Sequence, residues 1–275
     1  MADAIKYTMV VFMPLNANTT KKATTLNGVI KTKKTPMSRL KKSYIARFVG
    51  RIAIFIASVV LFFAYPEQFD VLDGMNFFKS FSLFHILWVI WLFDMICQLI
   101  PIKNYIPLGS QKLFSQHFAP IKEKINYAAL KKYVHFMAVG AGKIIALWVL
   151  LIGAIAVCYY TKIITKEILF LISIAFYVFD LVCVLIWCPF RLILKTRCCT
   201  TCRIFNWDHM MMFSPIIFMG GFYAISLFLV AMVVLLVWEI SVLMHPERFW
   251  ENTNDALKCA NCTDKLCNQY CRKLR

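Results

Sequence analysis

Long uninterrupted stretches of apolar residues alternate with polar segments along most of this chain. Four such stretches come first, at residues 48–65, 81–100, 144–160 and 168–187. Each is close to the roughly 20 residues that a helix needs to cross the hydrocarbon core of a bilayer. The pattern therefore predicts two transmembrane hairpins, over residues 45–101 and 144–190.

The last apolar stretch, residues 209–244, is too long for one straight crossing. As a single helix it would measure about 50 Å, whereas the hydrocarbon core is about 30 Å thick. A Ser-Pro pair at 214–215 and a Gly-Gly pair at 220–221 interrupt it. Such breaks are tolerated where protein covers the backbone. In one alternative, residues 210–219 enter the membrane as a short segment and residues 222–243 bring the chain back to the side it started from. In the other, only residues 222–243 cross the membrane.

These stretches predict an all-α integral membrane protein. We expect a polytopic helical bundle with two clear hairpins, a broken C-terminal hairpin and five to six membrane segments. Composition agrees, since 60% of the residues are hydrophobic, 16% are charged and the mean hydropathy is +0.66. Soluble domains are usually about 45–50% apolar and about 25% charged. A soluble helical protein with an oversized core is the disfavoured alternative.

Basic residues flank the apolar stretches and predict how the chain is oriented. The chain has 31 Lys and Arg against 14 Asp and Glu, a net charge of +17. A basic, largely disordered arm (1–44), a basic loop (102–143) and a cysteine-rich loop (191–208) alternate with less basic connectors. The positive-inside rule places these segments and the N-terminus in the cytoplasm. We expect a plasma-membrane protein that contacts anionic lipid headgroups and no nucleic acid.

Seven of the eleven cysteines lie in two short polar segments, one in the loop 191–208 and one in the tail 245–275. Each segment contains a Cys-x-x-Cys pair, which lets two thiolates hold one metal ion. The candidate ligands are the two pairs first and the remaining thiols second: Cys199, Cys202, Cys259, Cys262, then Cys198, Cys267 and Cys271.

Four thiolates suit tetrahedral zinc as first choice, or an iron–sulfur cluster, in a structural or redox role. This use requires both pairs on one side of the membrane, as the broken third hairpin provides, and we favour that alternative. If only five segments cross, the tail is external and a disulfide is the expected use. Thiols without a ligand are a further alternative.

A five-residue motif occurs in two of the predicted spans. Residues 93–97 and 179–183 both read Phe-Asp-x-x-Cys, which indicates a duplicated two-span unit. Residues three apart share a helix face, and a carboxylate inside a span is costly and needs a partner. The motif predicts a polar site within the bundle, formed by Asp94, Asp180, Cys97, Cys183 and Glu239. It either binds a small cation or metal for transport, or anchors two helices near the interface.

The sequence contains no Gly-rich phosphate loop, no Gly-x-Ser-x-Gly and no His-Glu-x-x-His. Whether the chain is an enzyme therefore stays open. The leading hypothesis is a membrane protein with a cytoplasmic cysteine-rich metal site. The alternative is a transporter or channel for a small cation or metal that uses Asp94 and Asp180.

Overall fold

The computed structural model describes residues 38–79, 81–102, 106–196 and 198–266, and within them the chain is helical, without a β-strand. The α-helices are α1 (Arg39–Ala64), α2 (Leu83–Gln98), α3 (Leu108–Gln111), α4 (Tyr127–Tyr160), α5 (Lys166–Leu185), α6 (Phe190–Leu194), α7 (Asp208–Phe213) and α8 (Gly221–Met244). Short 3-10 helices lie at Pro66–Leu72, Asn76–Phe78, Ser115–His117, Cys199–Thr201, Phe205–Trp207, Ile216–Met219, Pro246–Phe249, Asp255–Leu257 and Cys259–Asn261.

Four helices among the described residues, α1, α4, α5 and α8, are long and apolar enough to cross a membrane. Helix α2 is also apolar but has 16 residues, and α7 has 6. The prediction of an all-α, membrane-embedded helical protein is confirmed. Helices α2 and α7, which belong to two of the five to six predicted segments, are each shorter than a full crossing.

Polar caps set where two of the long helices begin. The side chain of Ser38 accepts a hydrogen bond of 3.1 Å from the backbone N–H three residues later, and Asn126 does the same at 3.1 Å. These caps satisfy backbone N–H groups that lack a partner inside the helix. Helix α1 therefore begins within the segment 1–44, whose residues 1–37 lie outside the described part. Residues 127–143, predicted as loop, are the first part of α4.

Aromatic rings fill the centre of the bundle, where α1 packs along α5 and α2 packs along α8. The rings meet edge to face, a favoured arrangement for aromatic pairs. The buried members of this cluster are Phe69, Phe84, Trp91, Phe170, Tyr177, Phe213 and Tyr223. Few residues of the apolar parts of α1 and α4 are buried, as expected for helices that face lipid.

The broken C-terminal segment folds back along α8. At one end, the indole N–H of Trp238 donates to the carbonyl oxygen of Arg203 (2.8 Å). At the other end of α8, the backbone N–H of Phe222 donates to the carbonyl of Gly74 (2.8 Å), which lies in the connection between α1 and α2. Helix α7 and the turn Ile216–Met219 run antiparallel to α8 between these contacts, along about 25 Å of its length. Among the described residues, the chain therefore reverses direction between α7 and α8, and the number of membrane crossings stays a prediction.

The turn before α8 requires glycine. Gly220 and Gly221 have φ angles of 67° and 79°, in the left-handed region that L side chains rarely occupy. A Cβ atom on Gly221 would lie 2.7 Å from the carbonyl oxygen of Leu72. The Gly-Gly pair that interrupts the apolar pattern is therefore the point at which the chain reverses.

The return of the chain brings several loops to one end of the bundle. This cysteine-rich end consists of residues 106–126, 186–196, 198–207 and 245–266. The carboxylate of Asp264 accepts a hydrogen bond of 2.7 Å from the backbone N–H of Leu108. The amine of Lys112 donates to the carbonyl oxygen of Cys202 (3.0 Å). The tail and the cysteine-rich loop thus lie at the same end, as the predicted third hairpin requires.

Candidate functional site

A cavity of about 440 Å³ lies among α1, α2, α5 and α7 at the cysteine-rich end and is partly open. Most of its wall is apolar, and the aromatic contributors are Tyr44, Trp148, Phe176, Phe179, Trp187, Phe190 and Phe205. Cavities of about 300–1,000 Å³ with mostly apolar walls and a few polar groups are typical of sites for small molecules.

An ion pair from α1 and α5 forms one polar patch of the cavity wall. The Arg51 guanidinium lies 2.6 Å from a carboxylate oxygen of Asp180 and donates to the carbonyl oxygen of Tyr177 at 2.7 Å. It also lies 3.8 Å above the Tyr177 ring, within range of a cation–π interaction. These contacts neutralise the Asp180 carboxylate. We call this the cavity pair.

The two Phe-Asp-x-x-Cys motifs meet at this cavity. The Tyr177 hydroxyl donates to the carboxylate of Asp94 at 3.3 Å, which links α5 to α2. Asp94, Asp180, Cys97 and Cys183 all line the same space. The structure therefore brings together four of the five residues of the predicted intramembrane site.

Glu239, the fifth predicted residue, lies elsewhere. It is not among the residues that line the cavity. Both of its carboxylate oxygens contact the guanidinium of Arg203, and the Trp207 indole donates to one of them at 2.8 Å. These contacts tie the cysteine-rich loop to α8. We call Arg203 and Glu239 the loop pair.

A second polar group of the cavity joins α2 to α7. Asp208 and His209 lie at the start of α7, with 3.3 Å between the carboxylate and the imidazole Nδ1. The Gln98 side-chain amide donates to Asp208 at 3.1 Å and lies 3.2 Å from the imidazole of His209. All three residues line the cavity, so α1, α2, α5 and α7 all contribute polar groups to it.

Thiols are concentrated around the same space. Among the described residues, those that line it are Cys97, Cys183, Cys188, Cys199 and Cys202. The Cys199 thiol points to the carbonyl oxygen of Cys183 at 3.9 Å. Burial raises the pKa of Cys199 to about 12 and that of Cys202 to about 11, so both are neutral thiols near pH 7.

Two groups at this end of the bundle have lowered pKa values. The neighbouring Cys183 side chain lowers the pKa of Cys188, with further help from backbone N–H groups and Arg191. Burial lowers the pKa of Lys112 to about 7, because a charged amine loses its solvation inside the protein.

The predicted metal ligands lie at one end without converging in a coordination shell. Cys199 and Cys202 line the cavity, Cys198 accepts a hydrogen bond from Thr200 (3.2 Å), and Cys259 and Cys262 lie in the tail at this end. In the part of the chain that the structure describes, no three His, Cys, Asp or Glu side chains form a group able to hold a metal ion. Cys267 and Cys271 lie outside the described residues.

Sequence reasoning missed Arg51, Tyr177, Asp208 and Cys188. Arg51 carried a usable signal, because it is a basic residue inside an apolar stretch, and such residues usually mark a polar site. The other three depend on helix contacts that the linear pattern does not record.

Comparisons of the chain with protein-family models, with curated proteins and with solved structures find no match.

Proposed function

We propose that this membrane protein binds a small amphiphilic solute in the cavity at its cysteine-rich end. The observation that carries the proposal is the composition of the wall, in which aromatic rings surround the polar residues of both Phe-Asp-x-x-Cys motifs. An apolar wall accommodates the body of such a solute, and a few placed polar groups orient it.

The charges of the wall favour a zwitterionic solute. Among the described residues, the cavity is lined by equal numbers of arginines and aspartates: Arg47, Arg51, Arg191, Asp94, Asp180 and Asp208. Electrostatic complementarity then favours a group that carries both signs. A small cation, the transporter alternative, has less support because Arg51 already neutralises Asp180.

Three matched probes test this proposal. Naphthylalanine, naphthylpropionate and naphthylethylamine share one aromatic body and carry a zwitterionic, an anionic and a cationic group. We expect naphthylalanine to raise the unfolding temperature of the protein in nanodiscs by a few degrees, and the other two to raise it less.

Two substitutions make the measurement specific to the cavity. Cys97→Phe fills space in the cavity wall, whereas Cys158→Phe adds the same group at the far end of α4, away from the cavity. The probe effect should disappear only in the first. No shift with any probe, or an equal shift in Cys97→Phe, contradicts the proposal, and a response to naphthylethylamine alone supports the cation alternative.

A metal site remains the second candidate function. It is favoured by the position of both Cys-x-x-Cys pairs at the same end of the bundle, where the charge of Cys198 adds to burial in raising the pKa of Cys262. Cys199, Cys202, Cys259 and Cys262 would hold zinc or an iron–sulfur cluster after a rearrangement of the tail.

Metal content tests this candidate directly. Protein purified under reducing conditions should contain about one zinc or one cluster per chain by mass spectrometry. A Cys199→Ser, Cys259→Ser double variant should lose it, and the matched Cys97→Ser, Cys158→Ser double variant should retain it. Wild-type protein without metal contradicts the candidate.

We further infer that the protein lies in the plasma membrane with its cysteine-rich end on the cytoplasmic side, because basic segments flank the apolar stretches at this end. A membrane-impermeant maleimide applied to intact cells should label a variant in which Cys158 is the single cysteine, and should not label one in which Cys262 is the single cysteine. The reverse pattern would overturn this orientation.

A further inference from the structure

The connection between α1 and α2 folds back alongside α2. The imidazole of His85, in the first turn of α2, lies with its Nε2 atom 2.8 Å from the carbonyl oxygen of Phe77. The ring of Phe77 lies 5.2 Å from that of Trp88, a residue about 8 Å along the helix from its start at Leu83. The connection therefore returns to the level of the first two turns of α2. We call residues 75–79 and 81 the aromatic segment.

The carbonyl groups of this return are hydrogen-bonded. A carbonyl oxygen can only accept and a backbone N–H can only donate, so His85 donates from Nε2 to Phe77 and accepts at Nδ1 from the N–H of Ser82 (3.0 Å). Four successive carbonyl oxygens accept hydrogen bonds here, those of Gly74, Met75, Asn76 and Phe77. Backbone outside a regular helix is tolerated at membrane depth only where its polar groups are satisfied. The carbonyl groups of the aromatic segment meet this requirement.

Large apolar side chains project outward from the aromatic segment. Met75 and Phe78 are each 61% exposed, and Phe81 is 77% exposed. The rings are continuous with the neighbouring helices, because Phe78 lies 4.6 Å from Phe222 of α8 and Phe81 stacks on His85 of α2 at 5.4 Å. The segment is therefore fixed against the bundle on one side and presents an apolar surface on the other.

The neighbouring surface of α2 indicates the depth at which the segment lies. Leu83 and Ile86, in the first turn of α2, are also more than half exposed and apolar, as lipid-facing side chains are. The 16 residues of α2 measure about 24 Å, less than the roughly 30 Å of the hydrocarbon core. A helix this short that lies in the core keeps its ends at or inside the boundary. The aromatic segment, beside the first turns, lies at that boundary too.

The first half of the same connection has the opposite character. The 3-10 helix Pro66–Leu72 carries Glu67 and Asp70, both exposed. Carboxylates are costly in hydrocarbon, so this half belongs in water. It is a matched internal reference for the aromatic segment, because the two halves lie in the same connection.

We propose that the aromatic segment lies in the boundary between the headgroups and the acyl chains of the bilayer, and that His85 holds it there. Aromatic rings favour this level of a membrane. Lys79 is exposed within the segment, and its long stem can bring the amine to the phosphate groups. Phe222 and the Arg203 contact of Trp238 lie at opposite ends of α8, so this surface is remote from the cysteine-rich end and its test does not depend on the cavity.

Photolabelling of the wild-type chain in nanodiscs tests the placement. One reagent is a phosphatidylcholine with an aryl diazirine at the glycerol end of an acyl chain, and the other is an uncharged, membrane-impermeant sugar conjugate of the same diazirine. Adducts are located by mass spectrometry. Phe78 and Phe81 should carry lipid adducts, as should the exposed Val89 of α2. Glu67 and Asp70 should carry adducts of the soluble reagent.

Substitutions of His85 test its role. His85→Leu removes the donor to the Phe77 carbonyl, so the aromatic segment should lose its lipid adducts and gain soluble ones while Val89 keeps its lipid adducts. His85→Gln, whose amide N–H can reach the same carbonyl, should retain the wild-type pattern. The matched control is His135→Leu, which removes an exposed histidine of α4 at the cysteine-rich end and should also retain it.

Two results would overturn the proposal. Absence of lipid adducts on Phe78 and Phe81 in the wild type, whether or not Val89 is labelled, contradicts the placement in the boundary. A folded His85→Leu variant with the wild-type pattern contradicts the role of His85. If that variant does not fold, His85→Asn, whose shorter amide does not reach Phe77, gives the same comparison.

Discussion

The cavity pair and the loop pair use the same chemistry in two different settings. Each joins an arginine to a carboxylate on a membrane helix, and the side-chain exposures are alike, 10% and 26% for Arg51 and Asp180 against 11% and 30% for Arg203 and Glu239. Exposure alone therefore does not distinguish a site from a structural contact.

The difference lies in how fully each carboxylate is occupied. Both oxygens of Glu239 contact Arg203, and the Trp207 indole adds a third hydrogen bond. Asp180 contacts Arg51 through one oxygen and faces a cavity. A bidentate arrangement fixes geometry as well as charge. The loop pair therefore anchors a loop, whereas the Asp180 carboxylate of the cavity pair can also contact a bound molecule.

Breaking the loop pair should give the largest loss of stability. Arg203→Met leaves the Glu239 carboxylate without its main partner and frees the cysteine-rich loop. Removal of one member of a buried pair costs about 3–5 kcal/mol, and because Glu239 is 30% exposed we expect about 3 kcal/mol. The free energy of unfolding in detergent micelles measures the effect.

The double variant Arg203→Met, Glu239→Met is the control. It should recover most of the lost stability, because replacing both charges with apolar groups removes the desolvation cost of each. If the double variant is as unstable as the single one, the loop pair is not the source of the loss.

Lys112 supplies the next largest effect and a pH dependence. Its pKa falls to about 7 in the folded chain from an ordinary 10.5, so the unfolded chain binds more protons above pH 7. Stability therefore rises with pH from about 7, where the cost of the buried charge begins to be relieved. Between pH 7 and 9 we expect a gain of about 2 kcal/mol.

Cys199 and Cys202 reverse the slope above pH 9. Their pKa values are raised to about 12 and 11 from an ordinary 9.0, so the folded chain retains protons that the unfolded chain loses. Stability should then fall with further increase in pH. The lowered pKa of Cys188 contributes to the same rise. Lys112→Met should therefore reduce the rise and keep the fall, and a rise of unchanged size contradicts the assignment to Lys112.

The cavity pair should give a smaller loss than the loop pair. Arg51→Met removes one direct contact to Asp180, and that carboxylate can still be solvated from the cavity. We expect a loss of about 2 kcal/mol or less, together with loss of the naphthylalanine effect. A loss as large as that of Arg203→Met would mean that both pairs serve mainly to hold the fold.

The two pairs differ in how far their contacts could be predicted from the sequence. The repeated Phe-Asp-x-x-Cys motif placed Asp94 and Asp180 on equivalent helix positions, because a spacing of three residues defines a helix face. Their common cavity followed from that regularity. Arg51 interrupts an apolar stretch and could have been predicted as their partner.

The partner of Glu239 could not be read from the sequence in the same way. Arg203 reaches it only because the chain reverses at Gly220 and Gly221, where the backbone adopts positive φ angles. The sequence left this reversal as one of two alternatives.

The smallest expected effect separates anchoring from binding most sharply. Tyr177→Phe removes a single 3.3 Å hydrogen bond to Asp94 and leaves the ring under Arg51 in place, so stability should fall by about 1 kcal/mol or less. Naphthylalanine binding should weaken by several-fold, because Asp94 loses the group that orients it. Trp207→Phe, the matched loss of one hydrogen bond at the loop pair, should leave probe binding unchanged. Equal effects of the two variants on probe binding would remove the functional distinction between the pairs.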